Sequence, residues 1–420
     1  SPLGELNRIQ PEVKILRVRQ GATSDQVEVD VEVVAKEDST QKNGKTRTDA
    51  YDLRLFRDGQ LVGQWPEPKS ETKGVEELEA WRAASRVPMA KDATKTTHTF
   101  PVRLASRDQG RAVKFTAYAF NEDRVKSGTA EDGSYKVPAD IPRRQPRAYV
   151  LTVGVDSYDE PKRKLDFAVK DGQALAAALS HLKDYEVVKV SLLSGMASEP
   201  QVTQDGASSA LPVNQAIKAN IRAILELLAG KGEAERERLK GLVGIDRQAI
   251  EQLKKATPDD VVILAFSGHG YTESNGRFYL LPSDSGTAKA IREDLPKFIS
   301  SEELTEWLRE VDAGELAMVI DACHSAASVD TPGFKPGPMG DRGLGQLAYD
   351  KGMRILAATQ ANDVAIEADK LGHGLFTYAL VKDGLKPKAD KKRQADLDND
   401  GKVTLAEWLQ YGEKRVPGAV

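Results

Sequence analysis

One cysteine occurs in the whole chain, Cys323, in the run Asp321-Ala322-Cys323-His324-Ser325 directly after the apolar stretch Leu316–Ile320. A thiol attacks carbonyl carbon only as the thiolate, and an ordinary cysteine pKa of about 8.5 leaves most of it protonated at neutral pH. The chemistry therefore needs a base. About fifty residues earlier a second apolar stretch, Asp260–Phe266, ends in Ser267-Gly268-His269-Gly270. An imidazole can take the thiol proton, or hold the thiolate as an ion pair, and then protonate a leaving amine. The glycines beside His269 tolerate unusual dihedrals and close approach of a substrate. A free cysteine taken alone is more often a small buried hydrophobe. Two reactive residues at two matching strand ends favour catalysis instead. His324 follows Cys323 on an extended chain and points the other way. His98 and His181 read as structural or surface residues, and His373 as a loop residue between glycines. The residue pattern names no third member of a triad.

A second group of chemistry-bearing residues lies near the carboxyl terminus. Asp396, Asp398, Asp400, Gly401 and Glu407 fit the spacing D-x-[DN]-x-[DN]-G-x5-E of an EF-hand calcium loop. The three aspartates supply oxygens, Gly401 the sharp turn, Lys402 a main-chain carbonyl, Thr404 a hydroxyl or a bridging water, and Glu407 a bidentate carboxylate. Calcium is the expected cofactor. Trp408–Arg415 reads as the exiting helix, whereas Gly384–Ala395 holds Pro387 and many lysines, which suits a half-hand or dockerin-type loop. The blander alternative is an acidic turn that caps the last helix.

Both apolar stretches before the reactive residues read as buried strands, which puts Cys323 and His269 just past strand carboxyl ends, where open α/β sheets place their sites. From Tyr149 onward strands and helices alternate: strands at Val150–Val155, Tyr185–Leu193 and Val261–Phe266, and helices at Asp166–Leu182, Val213–Leu228 and Glu302–Val311. Glu233–Lys255 reads as a charged helical insert, and Ser325–Lys351 as a long Gly- and Pro-rich loop. Residues before Pro138 look all-β, with strands at Val13–Gln20, Gln26–Val34, Tyr51–Phe56, His98–Leu104 and Val113–Phe120, and a short helix within Gly74–Ala84. That spacing suggests an immunoglobulin-like or fibronectin-like sandwich, read as a spacer or a dock for another protein. The expected domains are 1–140 (β-sandwich), 141–147 (linker, IPRRQPR), 148–386 (α/β domain) and 387–420 (calcium segment). At 420 residues, two or three domains are expected, and a net charge of −4 leaves no basic surplus for nucleic acid. A single cysteine needs no oxidising compartment, and no run of eighteen apolar residues or secretory leader is present, so a cytoplasmic, non-membrane protein is expected. Ser at position 1 suggests a processed or truncated start.

SGHG after one strand and DACHS after the next resemble the caspase-like cysteine peptidases, and more closely the metacaspase and orthocaspase type and its bacterial relatives. The animal caspase signature has Gln two residues before the cysteine, where this chain has Asp321. RAYVLTVGVD (Arg147–Asp156) is similar to the family's first strand, LDFAVKDGQAL (Leu165–Leu175) to its first helix, and MRILAATQ with GHGLFTYAL to its small-subunit segment; together these cover roughly the middle three-fifths of the chain. The resemblance implies a caspase-like sheet flanked by helices, an oxyanion hole from the N–H groups of Gly270 and Cys323, and an acidic pocket built by Asp171 and Asp321 for a basic residue. Asp166 stands where animal caspases place an aspartate-binding Arg. Asp363 and Glu367 would add subsites for further basic residues. The long loop is the place of a cleavable linker, with Lys335, Arg342 and Lys351 as cleavage candidates. The implied function is a cysteine endopeptidase cutting peptides and proteins after Arg or Lys, self-processing and calcium-modulated. The alternatives are a caspase-fold scaffold without turnover and an aspartate-specific peptidase.

Overall fold

The computed structural model describes residues 4–68, 78–180, 182, 184–196, 201–202, 208–209, 212–273, 276–322, 342–358, 384, 393–399 and 403–415. The chain divides into two compact units.

The first unit holds Ser1–Arg144 together with Thr257–Asp259 and Asp350–Gly352. Among the described residues it has seven strands, β1 (Glu12–Gln20), β2 (Gln26–Val34), β3 (Tyr51–Arg57), β4 (Gln60–Trp65), β5 (Lys95–Arg103), β6 (Ala112–Phe120) and β7 (Ala130–Lys136), and one α-helix, α1 (Leu78–Ser85). They make two antiparallel sheets, ordered β1-β2-β5 and β4-β3-β6-β7. The period-two pattern of β2 is the reason: Val27, Val29, Val31 and Val33 are fully buried. They share one apolar cluster with Leu53, Leu55 and Phe115 from the other sheet. This N-terminal region is all-β, as the sequence suggests. Strand β7, AEDGSYK, carries no apolar alternation and is not among the expected strands; it sits at a sheet edge beside β6, where pairing to one neighbour is enough.

The second unit holds the remainder. Its strands are β8 (Arg147–Val155), β9 (Glu186–Met196), the two-residue pair β10 (Gln201–Val202) and β11 (Ser208–Ser209), β12 (Pro212–Asn214), β13 (Val261–Ser267), β14 (Gly270–Thr272), β15 (Phe278–Leu280), β16 (Ile299–Ser300), β17 (Glu315–Asp321) and β18 (Arg354–Ala358). Its helices are α2 (Ala168–Leu179), α3 (Lys218–Leu228), α4 (Arg236–Lys240), α5 (Arg247–Gln252), α6 (Ile291–Asp294), α7 (Ser301–Arg309), α8 (Arg342–Lys351, whose last two residues belong to the first unit) and α9 (Leu405–Arg415). Among the described residues six strands form the main sheet, β12-β9-β8-β13-β17-β18. It is parallel throughout except for β12, which runs antiparallel to β9.

Alternate residues of β13 and β17 feed two different cores. Val262, Leu264, Phe266, Met318 and Ile320 face the cluster that includes α3 and α7. Val261, Ile263, Ala265, Ala317 and Val319 face the cluster that includes Leu175 and Leu179 of α2 and Trp408, Leu409 and Tyr411 of α9. Both faces are covered, which is why these strands read as continuous apolar runs.

Three expected elements differ from what forms. The helix expected from Val213 starts only at Lys218, because Val213 pairs with Gly195 as part of β12. The insert expected as one helix over Glu233–Lys255 is two, α4 and α5, separated at Gly244, whose φ of +75° leaves the helical region, and restarted by Asp246, whose carboxylate accepts from the Ala249 N–H. The loop expected over Ser325–Lys351 ends in helix α8. Lys351 closes that helix; it is 4% exposed, and its Nζ donates to the Leu61 carbonyl at 3.2 Å. A residue so placed is a poor cleavage point, since a protease needs an exposed, extended segment. Arg342 opens the same helix, and Lys335 lies outside the described residues.

Candidate active site at the carboxyl edge of the sheet

Strands β8, β13 and β17 end level with one another, with Ser267 paired to both Gly154 and Asp321. His269 follows two residues after β13 and is fully buried. Its main chain is held at both ends: its N–H donates to Tyr158 Oη at 2.9 Å, and its carbonyl accepts from Leu281 N–H at 3.0 Å. The Tyr158 ring lies 4.9 Å from the imidazole. Burial pushes the Tyr158 phenol well above its ordinary pKa, so it stays neutral.

The imidazole Nε2 lies 2.7 Å from the main-chain carbonyl of Arg163. A carbonyl only accepts, so Nε2 carries the hydrogen and donates. In the neutral ring Nδ1 is then the nitrogen with the lone pair, and so the one able to take a proton. The acceptor that orients the ring belongs to the backbone, which explains why no third side chain could be named from residue types.

The carboxylates sit on the opposite side of the strand ends from Phe266. Asp321 continues the Ala317–Val319 alternation toward α2. Asp171 precedes Leu175 and Leu179 by one and two helical turns on the stripe of α2 that packs on the sheet. Asp171 is fully buried and Asp321 is 1% exposed. The helix comes close enough for this because β8 has glycine at 154, where a Cβ would lie 2.6 Å from the Ala168 carbonyl oxygen. Ser267 shares that face. Its hydroxyl is buried with no hydrogen-bond partner among the described residues. It is a polar group the motif reading passed over, although it is the first residue of SGHG.

A third carboxylate, Asp156, stands just beyond β8. It accepts from the N–H groups of Val169 and Ala168 at the start of α2. Burial, with Asp171 and Asp166 nearby, still pushes its pKa up to about 6. One of its oxygens is buried without a hydrogen-bond partner among the described residues. The sequence offered only an Asp at the end of a strand, which is not enough to single it out. Asp166, by contrast, is exposed and lies 3.7 Å from Lys164.

Gly270, the expected oxyanion donor, opens β14 and is buried. A Cβ there would meet the Phe278 ring and Ala322 at 3.0 and 3.1 Å, so the backbone here is tightly packed. Cys323, Asp363 and Glu367 lie outside the described residues, and strand β17 ends two positions before Cys323. The other sequence-predicted group is partly assembled: Asp396, Asp398 and Glu407 place carboxylate oxygens within 4.8 Å of one another. This acidic cluster could coordinate a divalent ion, since hard cations take carboxylate oxygens. Asp400 and Lys402 lie outside the described residues. Thr404 and Glu407 also bond reciprocally: Thr404 N–H to Glu407 at 2.9 Å, and Glu407 N–H to Thr404 Oγ1 at 3.2 Å. That is a capping box at the start of α9. The same carboxylate accepts from Leu397 N–H at 3.0 Å. These donors, Thr404 first, hold the Glu407 pKa below its ordinary value.

The family model described as the caspase domain, of the C14 peptidases, matches residues 147–399. The chain belongs to that family. No curated protein matches the chain. Among solved structures, the chain aligns at 10% identity with a 2,6-sialyltransferase of Photobacterium sp. JT-ISH-224 (68% of this chain, 39% of that one, TM-score 0.18). It aligns at 10% with the YXIM protein of Bacillus subtilis (88% and 80%, TM-score 0.21) and at 11% with a family 28 exopolygalacturonase of Yersinia enterocolitica (75% and 56%, TM-score 0.16). Scores this low carry no structural argument. Among the described residues, no helix is long and apolar enough to cross a membrane.

Proposed function

We propose that the protein is a cysteine endopeptidase of the metacaspase or orthocaspase type that hydrolyses peptide bonds after Arg or Lys. The observation that carries this reading is His269: a fully buried imidazole whose Nε2–H is tied to the Arg163 carbonyl, leaving Nδ1 as the basic nitrogen. The Cys323 thiol gives its proton to His269 and attacks the scissile carbonyl. The N–H groups of Gly270 and Cys323 receive the developing oxyanion. The imidazolium protonates the departing amine, and water then hydrolyses the thioester and restores the thiol.

Specificity follows from charge. Asp171 and Asp321, with the Ser267 hydroxyl and the nearby charge of Asp156, suit a guanidinium or ammonium that brings its own donors into a dry pocket. A substrate aspartate there would meet like charge and lose its hydration. Asp363 and Glu367 are assigned to neighbouring subsites. Calcium is assigned to Asp396, Asp398, Asp400, Lys402, Thr404 and Glu407, as an EF-hand-like loop that stabilises or modulates the enzyme. The domain division is taken as 1–140, 141–147, 148–386 and 387–420, with an immunoglobulin-like β-sandwich at the amino end that docks a partner protein. A cytoplasmic site of action and cleavage of the chain's own long linker complete the reading.

The test is fluorophore release from peptides ending in Arg, Lys or Asp, by wild type, Cys323→Ala and Asp321→Asn, with calcium and with chelator. Cleavage after Arg that vanishes in Cys323→Ala is expected. For Asp321→Asn the Arg peptide should lose about 10–100-fold in kcat/KM, the value of one charged hydrogen bond in a buried site. Arg preference unchanged in Asp321→Asn would remove the acidic pocket. Calcium titration calorimetry on wild type and Asp398→Ala decides the loop, because identical isotherms would place any bound ion elsewhere.

A further inference from the structure

We infer that Arg163 is a positioning residue of the active site, acting through its two ends. Its carbonyl is the acceptor that fixes His269, at 2.7 Å from Nε2. Its guanidinium is carried by a buried residue, 6% exposed. Nη1 donates to the Ser285 carbonyl at 3.3 Å, the Ser285 hydroxyl at 3.1 Å and the Gly286 carbonyl at 3.1 Å. The Phe298 ring lies 5.9 Å from the guanidinium carbon. The inference rests on the reading of His269 as the base of Cys323.

The loop that receives the guanidinium is itself held in place. Gly286 N–H donates to Asp159 at 3.1 Å, and Ala288 N–H to the buried Asp294 at 2.8 Å, which Lys297 also bonds at 3.0 Å. Gly286 has φ +79° and Asp294 fills the place where its Cβ would lie, so only glycine fits. Between the two ends, Arg163 closes a short 3-10 turn begun by Pro161, with its own N–H donating to the Glu160 carbonyl at 2.9 Å. A one-turn segment has little rigidity of its own. The side-chain anchor is what stops the Arg163 carbonyl from rotating away from the imidazole. A residue that packs without bonding would fill the space and lose this function.

The whole chain has one cysteine, so the rate of alkylation by iodoacetamide against pH reports Cys323 alone. In the wild-type chain the profile should show reactivity well below the ordinary thiol pKa of about 8.5, and His269→Ala should return it to that value. Coincident profiles in those two proteins would remove the dyad reading before Arg163 is touched. Given that they differ, Arg163→Met should move the low-pH limb toward higher pH. It should also lower kcat about 10–100-fold while KM stays within about twofold, as for a misplaced catalytic group. A wild-type profile and kcat in Arg163→Met would overturn the inference. So would a kcat loss that leaves the alkylation profile unmoved, which is what mere destabilisation produces. If Arg163→Met does not fold, Ser285→Ala decides: a smaller shift of the limb in the same direction is expected, and an unmoved profile overturns the inference.

Discussion

At the carboxyl edge of the main sheet Asp171, Ser267, His269 and Asp321 are each at most 1% exposed, whereas in the C-terminal loop Asp398 is exposed and Asp396 and Glu407 are half-buried. The two sites hold polar groups by different means. At the sheet edge the strands and α2 force the groups into a dry place, and main-chain atoms of neighbouring segments hold His269. In the loop the acidic groups stay in water, and Glu407 borrows N–H groups from its own loop and helix. The first arrangement raises the energetic stakes of each interaction and suits chemistry. The second leaves carboxylate oxygens in contact with water and open to a cation, at little cost when none is bound.

This contrast predicts unequal losses. His269→Ala should lower kcat/KM by at least about 100-fold, the usual contribution of a positioned acid–base group. It also leaves the Arg163 carbonyl unpaired in the core, so the melting temperature should fall, and activity has to be compared well below it. Activity within tenfold of wild type in folded protein would mean that another base serves the thiol. Trp408→Ala tests the link between the regions, because Trp408 is 2% exposed and shares a cluster with Val150, Ile263 and Val319 of the sheet. Removing it should cost about 3–5 kcal/mol in urea unfolding. A cost below about 1 kcal/mol, the range of surface substitutions, would show that α9 does not belong to that core.

Much of the sheet edge was legible because it is built from long signals. An apolar run ending in SGHG places His269 just past a strand end without any tertiary information, and the family resemblance names Asp171 and Asp321, which the structure buries on the same side of the sheet. What escaped depends on the chain returning from a distance. Arg163 orients His269 with a backbone atom, which no residue type announces. Asp156 matters only because Gly154 lets α2 approach, and Ser267 only because two strands end level with it. The division of Glu233–Lys255 into two helices was available in Gly244 and Asp246 but was outweighed by the density of charged helix formers. In the loop, the calcium spacing drew attention to Glu407 as a ligand, while the capping pair it makes with Thr404 is carried by the same residues.

Thr404→Ala separates those two roles. Losing the cap hydroxyl should destabilise the metal-free protein by about 1 kcal/mol, measured by urea unfolding in chelator. Asp398→Ala should leave that stability within about 0.5 kcal/mol, as for an exposed side chain, and act only when calcium is added. Equal behaviour of the two variants in chelator would mean that the loop has a single structural role.

The smallest effect, and the one that most directly separates a dry site from a wet one, is at Asp156. Its folded pKa of about 6 lies above the ordinary 3.8, so the native state binds its proton more tightly than the unfolded chain does. The stability this gives is fully present below pH 3.8, declines as pH rises through the window up to about 6, and is absent above it. Asn cannot titrate but keeps an oxygen to accept from Ala168 and Val169. The melting temperature of Asp156→Asn relative to wild type should therefore climb between pH 4 and 6 and level off above, measured at constant ionic strength. A difference that stays flat across that window would mean that Asp156 is well solvated, and that the negative charge beside Asp171 is held in water rather than in a desolvated pocket. Glu407 gives the opposite sign. Its pKa is lowered by the N–H groups that hold it, so its contribution is present above the ordinary glutamate pKa and is lost as pH falls through its folded value. The two carboxylates thus pull the acid limb of the stability curve in opposite directions, each for the reason that makes its site useful.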